Sequence, residues 1–118
     1  MVRAIRGAIT VGENTAPAIE TATAEMLKEI ERRNQIGPEN VVSAFFSLTP
    51  DLNATFPARA ARSIGWENVP MLDTVEVNVP DALPRTIRVL LHAEVDGPVR
   101  HAYLGEARSL RPDLSGGA

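Results

Sequence analysis

The sequence predicts one α/β domain organised around a sheet, and three observations carry that prediction. Strand-like stretches with period-two or all-apolar patterns recur along the chain, only one long stretch has amphipathic helical spacing, and 118 residues hold one core but not two. With 44% hydrophobic and 23% charged residues the composition is ordinary for a globular protein.

Residues 2–11 alternate from the outset, with Arg3, Ile5, Gly7, Ile9 and Val11 on one face and Val2, Ala4, Arg6, Ala8 and Thr10 on the other. Arg6 is flanked by alanines, which leave room above it for a ligand or for a packed helix. A turn follows at residues 12–14; Asn14 or Thr15 can cap a helix, and Pro17 suits its first turn. Ile19, Ala22, Thr23, Met26, Leu27 and Ile30 repeat at i, i+3, i+4, which predicts a helix over about residues 17–34, ended by Gly37-Pro38. Glu29 and Arg33 are spaced for an ion pair on its polar face.

Residues 41–48 are apolar or small on both faces, as in a central strand covered on both sides. One long helix cannot cover two faces. Part of the sheet is therefore expected to be covered by another copy of the chain, in a homo-oligomer. A turn at 49–53 leads to a short helix over 57–64, closed by Gly65, with Arg59 and Arg62 on one face. Residues 69–72 read as a short extended piece. Residues 74–79 alternate with Val75, Val77 and Val79 inward, which turns Glu76 outward with Thr74 and Asn78.

The long β-forming run at 83–95 places Arg85, Ile87, Val89, Leu91, Ala93 and Val95 on the core face and Arg88 on the other, beside Leu90. A guanidinium among apolar neighbours needs a carboxylate, a phosphate or carbonyl oxygens, since an unpaired buried charge is costly. That partner can be an internal acid or a ligand. Residues 96–98 break the strand, 99–104 return as a short one, 105–110 form a helical turn, and 113–118 read as a frayed end.

The net charge of -3 argues against a nucleic-acid partner. Yet Lys28 is the sole lysine among twelve basic residues. Arginine suits bidentate recognition of carboxylate or phosphate, although genomic base composition explains the same bias. Two histidines without H-x-x-x-H spacing, and no cysteine, argue against a metal site. No apolar run reaches membrane-spanning length, and Arg3 and Arg6 sit where a signal peptide would be apolar, so no membrane partner and a cytoplasmic location are expected. No nucleophilic triad, P-loop or G-x-G-x-x-G is present, and His92 and His101, each able to act as a base, read as structural. Arg6, Arg59, Arg62, Arg88, Arg100 and Arg111, with Tyr103 and Glu76, suit binding a polyanion and stabilising developing negative charge.

The blocks at residues 2–11, Thr49-Pro50-Asp51-Leu52 with Phe56-Pro57-Ala58, Gly65-Trp66 with Val69-Pro70, Ile87-Arg88-Val89, and residues 100–104 through 110–114 closely resemble the monofunctional α/β class of chorismate mutase. The resemblance spans nearly the whole chain, in order. It implies a mixed β-sheet with one long and one short helix packed on one side, three chains forming a pseudo-barrel trimer with active sites between neighbours. The implied reaction is the Claisen rearrangement of chorismate to prephenate on the route to phenylalanine and tyrosine, without cofactor or metal.

By that resemblance the catalytic residues are Arg6, Arg88 and Tyr103, which hold a carboxylate and the ether oxygen, and Glu76, which binds the ring hydroxyl. Phe56, Ala58, Arg59, Arg62, Asp73, Leu110 and Arg111 match residues lining the pocket or its mouth. Asp73 departs from the small neutral residue expected there and brings a second carboxylate toward Glu76, so its inclusion stays open. Arg59 stands where lysine is common, and the connection at 96–98 is short. Two rival readings are a non-catalytic trimeric sensor of carboxylate metabolites and an imine deaminase of similar trimeric fold.

Overall fold

Thr15 opens the long helix: its hydroxyl accepts the Ala18 N–H at 3.3 Å, and Pro17 fits the first turn. In the computed structural model, which describes residues 1–115, this helix (α1) spans Ala16–Asn34. It closes on Gln35 in the left-handed conformation, φ 52°, two residues before the expected Gly37-Pro38 stop. The stripe from Ile19 to Ile30 is buried, as its spacing predicts.

That stripe packs on a five-stranded sheet of order β3-β2-β4-β1-β5, formed by β1 (Val2–Thr10), β2 (Val41–Leu48), β3 (Met71–Val75), β4 (Thr86–Glu94) and β5 (Ala102–Leu104). Central β4 is antiparallel to β1 and β2, while the edge strands β3 and β5 pair in parallel with β2 and β1, so the sheet is mixed. Alternation turns Ile5, Ile9, Ala44, Phe46, Ile87, Val89 and Leu91 toward α1 and the short α2 (Pro57–Ala61), and these residues form the main core with Trp66. A Cβ on Gly7 would lie 2.8 Å from Ile30 Cδ1, so glycine there permits the close approach of α1 to β1. In β2 the register shifts between Val41 and Ser43, a bulge that exposes Val42 and returns Val41 to the covered face opposite Ala93.

The structure corrects several expectations. Residues 69–72 and 74–79 are not two extended pieces but one strand, β3, and Val75, Val77 and Val79 are exposed rather than inward. The ladder of this edge strand ends at Val75 and the Glu76 N–H, which donates to Leu48 O; residues 77–79 continue outside the sheet. Arg85 lies outside β4 with φ 45°, its Nε donating to Val11 O at 3.0 Å, so it does not point into the core. The short helix widens after Ala61 into a π turn, Arg62–Trp66, in which Gly65 takes φ 103°. The returning strand is shorter than expected and runs parallel to β1. Residues Pro112–Ser115 form a helical turn, α3, where a frayed end was expected; positions 116–118 of that expectation lie outside the described residues. Among the described residues no helix is long and apolar enough to cross a membrane.

Candidate active site

Register brings the arginines and the tyrosine together. Arg88 on β4 pairs across with Ala8 on β1, and Ala8 with Tyr103 on β5; on its other side Arg88 pairs with Ser47, and Ser47 with Thr74. One cross-strand row therefore runs Thr74, Ser47, Arg88, Ala8, Tyr103 on the face that α1 leaves open. The neighbouring row runs Leu72, Phe45, Leu90, Arg6. A cavity of about 450 Å³ sits over both rows, lined by Arg6, Arg88, Tyr103, Leu110 and Arg111 together with Phe45, Ser47, Thr74 and Leu90. Ala8 is small enough to be roofed by Tyr103 and Ala107, which closes one wall.

Arg88 Nε lies 2.5 Å from Glu76 Oε1, and the same oxygen accepts from Ser47 Oγ at 3.4 Å. Glu76 is thus turned in against the sheet rather than facing out with Asn78. The Nε–H direction misses the carboxylate, so this buried donor has no aligned acceptor, and the guanidinium makes no other ion pair among the described residues. The Arg6 side chain is exposed and forms no ion pair among the described residues, while its backbone N–H donates to His101 Nδ1 at 2.9 Å. Arg111 donates through Nε and Nη2 to both oxygens of Asp113, at 3.1 and 2.9 Å, and holds that carboxyl below its ordinary range.

The remaining candidates lie elsewhere in the chain. Phe56 precedes α2 and is 66% exposed, Arg59 and Arg62 are exposed, and Ala58 is buried. Asp73 is paired with Phe46 on β2, and its Oδ1 accepts the Ala58 N–H at 3.1 Å at the start of α2. Burial pushes its carboxyl up, and the Ala58 hydrogen bond and the Arg62 charge pull it back. Asp73 and Glu76 are therefore not neighbours around one ligand within this chain: one serves α2 on the covered side and the other meets Arg88 on the open side. Phe56, Ala58, Arg59, Arg62 and Asp73 do not line the Arg88 cavity of their own chain.

Sequence reasoning missed Phe45, Ser47, Thr74 and Leu90 as cavity walls. Their signal was the alternation of β2, β3 and β4, but it became readable only once register set Ser47 between Arg88 and Thr74.

A mixed sheet covered by helices on one face, with an arginine-lined cavity on the other, defines a small α/β protein whose open face suits an anionic ligand. The chain matches the family model for chorismate mutase type I over residues 2–114. The chorismate mutase AroH of Thermus thermophilus is 52% identical over 118 residues, covering 97% of each chain. That of Bacillus subtilis (strain 168) is 43% identical over 119 residues, covering 98% of this chain and 94% of its own. A solved chorismate mutase from Clostridium thermocellum superposes with a TM-score of 0.89 at 39% identity, covering 91% of this chain and 98% of that one. The chain belongs to the type I chorismate mutase family.

Proposed function

We propose that this enzyme, an isomerase of aromatic amino-acid biosynthesis, converts chorismate to prephenate at sites assembled between neighbouring copies in a trimer. The observation that carries the site assignment is the convergence of Arg88, Arg6 and Tyr103, from three adjacent strands, on one cavity of the open sheet face. Chorismate is a dianion whose rearrangement breaks an ether C–O bond as a C–C bond forms, so electron density grows on the ether oxygen. Arg88 donates to that oxygen, Arg6 and Tyr103 hold the side-chain carboxylate in the compact conformer, and Glu76 accepts the ring hydroxyl. No covalent intermediate is needed: donors that are better matched to the transition state than to the extended substrate supply the acceleration.

The subunit arrangement is supported by two features of the single chain. The open face exposes Leu72, Phe45 and Leu90 in one row at 53%, 44% and 39%, an apolar strip suited to burial by another copy. The remaining pocket residues, Phe56, Ala58, Arg59, Arg62 and Asp73, gather at α2 and the β3 edge, from which they can complete a neighbour's cavity. A cytoplasmic location belongs to the same proposal and is tested by cell fractionation.

The direct test is the loss of chorismate absorbance on adding purified protein without metal or cofactor. A first-order loss proportional to enzyme, with prephenate as product, is expected; binding without turnover would favour a metabolite sensor instead.

A further inference from the structure

The strand that carries Tyr103 is the weakest part of the sheet. β5 has three residues, pairs on one side only, and follows a loop in which Gly97 takes φ 88°. Three residues of parallel ladder are little to hold a substrate-facing group in place. Its approach is instead fastened by side chains from two other elements.

Asn34, the last residue of α1, grips the backbone of Arg100. Its Oδ1 accepts the Arg100 N–H at 2.7 Å and its Nδ2 donates to Arg100 O at 2.8 Å, closing a two-bond ring like a fragment of strand pairing. The same Nδ2 lies 2.9 Å from Ile30 O, which ties the grip to the helix itself. Beside it, the nearly buried Arg33 donates from Nη1 to His101 O at 2.8 Å while its Nε meets Glu29 Oε1 at 2.8 Å. The His101 ring then reaches β1, where Nδ1 accepts the backbone N–H of Arg6 at 2.9 Å, just beyond the last ladder pair, Gly7 with Ala102. At the far end of β5, Thr10 Oγ1 accepts the Glu106 N–H at 3.1 Å.

We propose that Asn34 and His101 are positioning residues for the rearrangement: they lock the Tyr103 strand to the Arg6 backbone, so that the two substrate-facing groups keep one spacing. This rests on the reading of Arg6 and Tyr103 as substrate ligands given above. To accept from Arg6, the imidazole must be neutral, with its proton on Nε2. The charges around it are Arg6 on β1, Arg111 after the turn that follows β5, Arg100 next to it in the chain, and Arg33 with Glu29 on α1. Burial, Arg6 and Arg111 hold the His101 pKa below its ordinary 6.5. Protonation would remove the acceptor and add a cation beside Arg6 and Arg111, so the lock opens as pH falls through that depressed value.

The test is kcat and KM between about pH 5 and about pH 8.5 for the wild type, His101→Ala, His101→Asn and Asn34→Ala, with Arg6→Ala and Tyr103→Phe as references. His101→Ala and Asn34→Ala are expected to lower kcat/KM at least about tenfold at neutral pH, since small misplacements of catalytic groups carry large rate penalties. Amide exchange at residues 100–104 should quicken in both, with the global thermal midpoint close to wild type. His101→Asn places an amide oxygen near the Nδ1 position. It should recover most of the neutral-pH activity and abolish the acid limb that the wild type shows below the ordinary histidine value. Should Asn34→Ala fail to fold, the contrast between His101→Ala and His101→Asn decides. Wild-type kcat/KM and an unchanged acid limb in both His101 variants would overturn the positioning role. If Arg6→Ala and Tyr103→Phe are also fully active, the site assignment itself falls; if they are impaired, only the positioning proposal does.

Discussion

The two faces of the sheet obey one alternation rule and have opposite chemistry. Phe46 and Phe45 are consecutive on β2, yet Phe46 is wholly buried under the helices and Phe45 is 44% exposed beside Leu90 and Leu72. The covered face is complete within one chain, with Ile5, Ile87 and Leu91 at 0% exposure. The open face is incomplete: it pairs a strip of exposed hydrophobics with Arg6, Arg88 and Tyr103, groups that a purely structural surface would not concentrate in one cavity, and Glu76 meets Arg88 at its side. On the proposed site assignment the difference separates stability on one side from chemistry on the other, and the neighbouring phenylalanines test it most directly. Phe46→Ala should cost about 3 to 5 kcal/mol of unfolding free energy by leaving a cavity in the core. Phe45→Ala should cost under about 1 kcal/mol of chain stability and show itself in KM or subunit dissociation. Equal losses in denaturant titrations of the two variants would erase the distinction.

On the open face the largest effect belongs to Arg88. Arg88→Ala should lower kcat about a hundredfold to a thousandfold, roughly 2.7 to 4 kcal/mol in the barrier, with the fold intact by circular dichroism. Arg88→Lys should recover little of this, because an ammonium cannot meet Glu76 and an ether oxygen with the planar fork of a guanidinium. Near-normal turnover in Arg88→Ala would make the open face an ordinary surface.

Whether that face is completed by another copy is open to a mixing experiment. Arg88→Ala and Arg62→Ala homo-oligomers should each be nearly inactive. Dissociated and reassembled together, they should recover about a quarter of wild-type activity, since random pairing joins an intact Arg88 side to an intact Arg62 side in that fraction of interfaces. Absence of recovery, with mixing verified by mass spectrometry, would place Arg62 outside a shared site.

Much of this was legible beforehand, and the limits have physical causes. The helix stripe from Ile19 to Ile30 and the core face of β4 follow from periodicity alone, because both bury a regular pattern within the same chain. Alternation also separated Arg88 from Ile87 and Val89. The convergence of Arg6, Arg88 and Tyr103 was implied only by family resemblance, because it depends on register between strands distant in sequence. Val75, Val77 and Val79 misled for the complementary reason: their apolar character was read as a core signal, but no element of this chain covers them. Asp73 was placed toward Glu76 by the family resemblance, whereas the pleat and the end of β3 send the two carboxylates of this chain to opposite sides.

The smallest effect distinguishes Asp73 as a helix-supporting group from Asp73 as part of its own chain's cavity. Burial holds its carboxyl above the ordinary 3.8, so between that value and its raised one the folded chain keeps a proton that the unfolded chain has released. Its contribution to stability is therefore full below the ordinary value and declines as pH rises through the raised one. Glu29 has the opposite sign: Arg32 and Arg33 hold it down to about 2, so its contribution is present above 4.5 and lost as pH falls toward that lower value. Asp73→Asn preserves an oxygen for the Ala58 N–H and removes the titration. Thermal unfolding of that variant should show a slightly raised midpoint at neutral pH and lose the Asp73 share of the decline, while the acid loss owed to Glu29 remains. A midpoint lowered by several degrees at neutral pH would mean that the ionised carboxylate, through Arg62, stabilises α2 more than its burial opposes it.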